Sequence, residues 1–130
     1  MGAKSGQIQR RSIGIVFSDG GLLALTAVTP EAAGGHGDER VTAVLCGPDG
    51  APMELSEALL STEYDENGVQ QRATLELWAD DEDGQPLRGG GTLISSASVR
   101  QPGQASEIAF FRWSLEGREG LGHYELVRDA

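Results

Sequence analysis

Apolar residues recur at every second position through much of this chain, and the runs they form are separated by glycine-containing turns. A period of two sends one side of an extended strand into a core and the other into solvent, so the pattern predicts consecutive β-hairpins. Ser12 to Phe17 and Leu22 to Val28 read as the first hairpin, turning at Asp19-Gly20. A two-residue loop there pairs Phe17 with Leu22 and Ile15 with Ala24 on one face, leaving Val16 and Leu23 on the other. Thr29 to Ala33 can form one helical turn with Thr29 as cap and Pro30 at its first position, and the stretch to Gly37 reads as a loose loop. Glu39 to Cys46 reads as a strand through Val41, Ala43 and Leu45, closed by Gly47-Pro48-Asp49-Gly50.

Met53 to Tyr64 is ambiguous, since Ser56 could cap a short helix carrying Leu59 and Leu60. The following Asn67-Gly68 decides for strand in the second half. Folding back about that pair sets Glu63 opposite Arg72, Leu60 opposite Leu75 and Ala58 opposite Leu77, an ion pair on one face and an aliphatic row on the other. Val69 to Ala79 alternates cleanly, Asp80 to Gly84 reads as an acidic solvated loop, and Gly89-Gly90-Gly91 inside the next run marks a bulge or bend. In the last hairpin, a two-residue turn at Glu116-Gly117 pairs Trp113 with Gly120, Phe111 with Gly122 and Ala109 with Tyr124. Both glycines then lie beneath aromatic rings. Phe110 with His123, Arg112 with Leu121 and Ile108 with Glu125 occupy the opposite face.

Eight or nine strands joined by short turns predict one all-β domain over residues 1–130, an antiparallel up-and-down barrel of lipocalin-like type, with a flexible N-terminus at 1–7. Closure removes the exposed edges of so many strands. A β-sandwich is the alternative.

Three stretches carry a family resemblance: Glu63-Tyr-Asp-Glu-Asn-Gly68, Ala73-Thr-Leu-Glu-Leu-Trp-Ala-Asp-Asp-Glu-Asp-Gly84 and Phe111-Arg-Trp-Ser-Leu-Glu-Gly-Arg-Glu-Gly-Leu-Gly-His-Tyr-Glu125. Together they resemble the C-terminal lipocalin-like domain of the hydroxyneurosporene synthase (carotenoid 1,2-hydratase)-related proteins. The closing stretch, with Trp, a Gly-Arg turn, Gly-x-Gly and a glutamate, is its most specific part. The resemblance implies a barrel that binds an apolar small molecule of isoprenoid or polyketide type, and a cofactor-free hydratase, cyclase or isomerase activity. Members often carry two barrels in one chain, whereas this length suits one. None of the family's catalytic residues is carried over.

Charge narrows the partners. Twenty acids against ten bases give a net charge of −10, which repels phosphate backbones and anionic lipids, so neither nucleic acid nor a membrane is expected. The single cysteine, Cys46, excludes an internal disulfide and reads as a small buried hydrophobe, and with no hydrophobic leader read at the start a cytoplasmic location is the expectation. No cofactor is expected: Gly120-x-Gly122 joins no helix, and Gly89 to Gly91 lacks a phosphate-binding lysine. His36, Asp38 and Glu39 could ligate a metal, but a solvated loop is the simpler reading and no metal is expected.

The candidate ligand-binding residues are Trp113, Phe111 and Tyr124, with Trp78 and Tyr64 as neighbours, because aromatics give apolar walls with a polar handle. His123 and Glu125 share one side of a strand and are the candidate acid–base pair. They matter only if their face is interior, and burial of Trp113, Phe111 and Tyr124 would put them outside. Phe110 and Ile108 would then be exposed, as at a homodimer contact. Two functions from different classes are open: a barrel that binds a ligand, with or without catalysis, or a non-catalytic β domain for protein–protein or self-association.

Overall fold

The computed structural model describes residues 8–29, 39–79 and 84–129. They form β1 (Ile8–Phe17), β2 (Leu22–Val28), β3 (Arg40–Cys46), β4 (Pro52–Tyr64), β5 (Gln70–Ala79), β6 (Leu87–Gln101), β7 (Gln104–Leu115) and β8 (Arg118–Asp129). Each strand pairs antiparallel with the next, and β1 pairs with β8, so eight strands close into an up-and-down, lipocalin-like barrel. The sandwich is thereby excluded. The whole of Met53–Tyr64 is strand, with no helix in its first half. The helical turn read at Thr29–Ala33, the acidic loop at Asp80–Asp83 and the N-terminus at 1–7 lie wholly or largely outside the described residues.

The register of the last hairpin is the one its residue types dictate. Trp113 faces Gly120, Phe111 faces Gly122 and Ala109 faces Tyr124. Glu116 (φ 49°) and Gly117 (φ 81°) both adopt the left-handed conformation that a two-residue turn of this kind requires. Around Asn67-Gly68, Glu63 faces Arg72, Leu60 faces Leu75 and Ala58 faces Leu77, as the two-face pattern demands. The expected Glu63–Arg72 ion pair is not made, although the two stand opposite one another.

The first hairpin departs from its expected register by one residue. Val16 pairs with Leu22, Ile15 with Leu23 and Gly14 with Ala24. The cause is the turn: Phe17 N donates to Gly21 O at 2.8 Å and Gly20 takes φ 95°, which closes a three-residue loop rather than a two-residue one. Leu23 therefore joins Ile15 and Phe17 inside, while Leu22 and Ala24 turn outward. Asp19 then receives Arg118 Nε at 2.7 Å, and that guanidinium lies 4.4 Å from the centre of the Phe17 ring, tying the β1–β2 turn to β8.

The interior is apolar and tightly packed toward this end. Ile15, Leu23, Leu75, Leu77, Phe111, Trp113, Leu115 and Tyr124 are each no more than 1% exposed. Trp113 lies 5.0 Å from Phe111 and 6.4 Å from Tyr124 between ring centres, and its indole nitrogen donates to Gly122 O at 3.3 Å. Cys46 is half-buried rather than buried.

Candidate functional site

Period-two parity, continued to the far ends of the strands, carries polar side chains into the barrel. Arg11 shares the inner face of β1 with Ile13 and Ile15, and its side chain is only 12% exposed. Its Nη2 donates to Glu39 Oε1 at 2.6 Å and its Nε to Oε2 at 3.2 Å, a bidentate pair with the residue that precedes β3. The Arg11 Nη1 reaches across to the carbonyl oxygen of Leu60 on β4, at 3.2 Å. Close by, Thr62 Oγ1 and the Tyr124 hydroxyl share a hydrogen bond of 2.5 Å.

This cluster lies where the wall is weakest. The β2–β3 ladder covers all seven residues of each strand, from Leu22–Cys46 to Val28–Arg40. The β3–β4 ladder covers three pairs, Val44–Glu54, Leu45–Met53 and Cys46–Pro52, although β4 continues to Tyr64. Val41, Ala43 and Leu55, which pack against the core beside this stretch, stay partly exposed. Arg11 thus supplies a donor to a β4 carbonyl along a stretch that β3 does not pair.

Further polar groups gather at the same end. Gln70 is fully buried, with Nε2 donating to Tyr124 O at 2.9 Å and to Glu107 O at 3.3 Å. Its Oε1 and the Arg128 Nε are buried without a protein partner among the described residues. Such groups are costly unless something satisfies them. Glu107 is also buried and takes a short hydrogen bond from Ser98.

Electrostatics fix the protonation states here. Burial alone would weaken the Arg11 cation, but the hydrogen bonds and field of Glu39 more than offset it, and its pKa is raised. Burial pushes the Tyr124 hydroxyl up to about 12, against the opposing hydrogen bond with Thr62 and the field of Arg11. A folded-state pKa above the ordinary value of about 10 makes the neutral phenol favour folding. That contribution is intact below pH ~10 and is lost as pH rises toward ~12, by about 2–3 kcal/mol in all. Alkaline denaturation of Tyr124→Phe is therefore expected to lack much of the stability loss seen in the unmodified chain over that window. An identical pH profile for the two would contradict the assignment.

The structure sorts the residues singled out in the sequence. Trp113, Phe111 and Tyr124 come together inside, as expected, but they form a sealed floor rather than open walls. Trp78 is a correction: Leu77 points inward, so Trp78 turns to the outer face of β5, opposite Glu57. Tyr64 ends β4 half in solvent, 5.9 Å from the Arg128 guanidinium, at the rim rather than within. His123 is exposed and Glu125 lies 3.9 Å from Arg10, both on the outer wall, because Tyr124 between them is inside. They face no interior and form no acid–base site there. Glu39 binds Arg11, while His36 and Asp38 lie outside the described residues. Among the described residues no group of three His, Cys, Asp or Glu side chains could hold a metal ion, and no helix is long and apolar enough to cross a membrane.

The outer wall carries its own apolar strip. Leu22, Val16 and Leu121 stand side by side on β2, β1 and β8, exposed by 43%, 65% and 47%. Val44, Ala24, Gly14, His123 and Phe110 form the next row, with no carboxylate among them.

Compared with known proteins, the chain matches no family model and no curated protein.

Proposed function

We propose that this barrel binds an apolar small molecule, of isoprenoid or polyketide type, carrying one hydroxyl or carbonyl group. The ligand enters along the unpaired stretch between β3 and β4. Its apolar body lies against Val41, Ala43, Leu55 and Leu60, over the floor made by Phe111 and Trp113. Its oxygen takes a hydrogen bond from Tyr124 or Thr62. The observation that carries this reading is the β3–β4 ladder, which stops after three pairs and leaves core residues on both strands partly exposed, in the wall that Arg11 spans from Glu39 to Leu60. The orphaned Gln70 Oε1 and Arg128 Nε add an acceptor and a donor at the same end. The resemblance of Phe111–Glu125 to the hydroxyneurosporene synthase-related ending points to the same ligand class.

The chemistry available favours binding over turnover. A phenol with a pKa of about 12 remains a hydrogen-bond donor near neutral pH and parts with its proton poorly. Arg11 is neutralised by Glu39 and serves as a fixed dipole rather than a proton source.

Trp78→Phe leaves Trp113 as the only tryptophan, so emission reports on the floor alone. Titration with a terpenoid alcohol, a fatty acid and an aromatic polyketide is expected to give a saturable change with the first or the third. Tyr124→Phe should weaken that ligand by about threefold to tenfold, the worth of one hydrogen bond. Silence across all three classes contradicts the reading. A second reading, self-association, rests on the exposed apolar strip of Leu22, Val16 and Leu121 on the outer wall. Sedimentation of the same samples separates the two: a concentration-dependent dimer without ligand response supports the strip, and a monomer throughout removes it.

A further inference from the structure

A trough of about 550 Å³ runs over the outer wall above Gly90 and Gly91, between Arg72 and Thr74 on β5, Thr92 on β6, Arg112 and Ser114 on β7, and Glu119 on β8. Its lining also takes in the inward-facing Ala73, Gly91 and Trp113, with which the outward-facing Thr74, Thr92, Arg112 and Ser114 alternate. Arg72 faces Thr92, and Thr92 faces Arg112, so the two arginines flank one threonine in a single cross-strand row. Two strand spacings put their backbones about 10 Å apart, within reach of one small ligand for side chains of this length.

In a chain with twice as many acids as bases, Arg10, Arg11, Arg88 and Arg118 have each taken a carboxylate partner. Five arginines, Arg40, Arg72, Arg100, Arg112 and Arg128, have no carboxylate partner among the described residues, and of these Arg72 and Arg112 line the trough. The lining itself holds two cations, Arg72 and Arg112, and one acid, Glu119, with Glu63 beside it opposite Arg72, so the arginines concentrate positive charge here on a molecule whose net charge is −10. The lining also offers the hydroxyls of Thr74, Thr92 and Ser114 as donors. Planar guanidiniums present forked donors that match carboxylate and phosphate oxygens.

We infer that this trough binds the oxyanion of a small ligand, a carboxylate or phosphate group held between Arg72 and Arg112 with Thr92 beneath it. The interior reading is tested separately, because it depends on Tyr124 and Thr62, neither of which lines the trough.

Amide spectra of the 15N-labelled protein, titrated at constant ionic strength with inorganic phosphate and separately with citrate, test this. The expected result is saturable shifts at Gly90, Gly91, Thr92 and Arg112, with half-saturation at or below about 10 mM for at least one anion. Saturation by phosphate assigns a phosphate group, and saturation by citrate alone assigns a carboxylate. Arg72→Gln and Arg112→Gln, both on exposed positions, should each weaken binding about tenfold with the rest of the spectrum unmoved. Arg112→Lys should retain part of the affinity. Shifts that never saturate, that fall elsewhere, or that persist unchanged in both glutamine variants overturn the proposal.

Discussion

Gly122→Ala is expected to destabilise the barrel by about 3 kcal/mol or more, lowering Tm by roughly 10–15 °C in a chain of this length. A methyl at this position would collide with the carbonyl oxygen of Gly14 and lie 2.7 Å from Ile15 Cα, both on β1. Those atoms belong to the backbone of the strand that closes the ring, so they cannot rotate away as a side chain would. Relief requires β1 to lift from β8, which breaks the pairing that runs from Ile8 to Phe17. Thermal unfolding followed by circular dichroism measures the loss. A change within about 0.5 kcal/mol, the ordinary range for a neutral surface substitution, would mean that β1 and β8 do not approach as described.

Trp113→Ala is expected to cost about 3–5 kcal/mol, the range for removing a fully buried large aromatic. The indole is 1% exposed, stacks against Phe111 and Tyr124, and covers the bare backbone of Gly91, whose own Cβ would come within 2.7 Å of the ring. Neither β6 nor β8 has a side chain at Gly91, Gly120 or Gly122 to collapse into the space, so the void persists. Trp113→Phe keeps most of the apolar contact and loses the bond to Gly122 O, and should cost about 1–2 kcal/mol. Equal losses in the two variants, by chemical denaturation, would show that the ring does not fill the floor.

These features were legible in the sequence to different degrees, for identifiable reasons. The last hairpin could be read in full because glycine opposite aromatic at two successive sites fits one register only, and Glu116-Gly117 suits the turn that register needs. The first hairpin differs by one residue from its expected register because Asp19-Gly20 serves two loop lengths. Gly20 with positive φ closes either a two-residue turn or a three-residue one, and the backbone bond from Phe17 to Gly21 selects the second. A one-residue slip exchanges the faces, which is why Leu23 rather than Leu22 is in the core.

The candidate site was harder to see than the fold. Period-two reading of strand ends assigns arginine and glutamate to solvent, so neither Arg11 nor Glu39 stands out as an inward residue. The signal was nevertheless present in their parity. Stepping by two from Ile15 through Ile13 reaches Arg11, and from Leu45 through Ala43 and Val41 it reaches Glu39. Leu60 leads in the same way to Thr62. That these three inward polar residues meet Tyr124 depends on the closed ring, which no single hairpin reveals. The short β3–β4 ladder has no clear local signature either, since Val41, Ala43 and Leu55 look like ordinary strand residues. Conversely, His123 and Glu125 drew attention by their chemistry, while the burial of Tyr124 between them determined their exposure.

Residue-resolved amide exchange of the unliganded protein in solution tests the central geometry most directly. The account predicts slow exchange for the paired amides of β1, β7 and β8, including those of Ile13, Ile15 and Phe111. It also predicts distinctly faster exchange for amides of β4 beyond Glu54 that point toward β3. Uniform protection along β4 would remove the entrance, and rapid exchange throughout β1 would show an open sheet in place of a closed barrel.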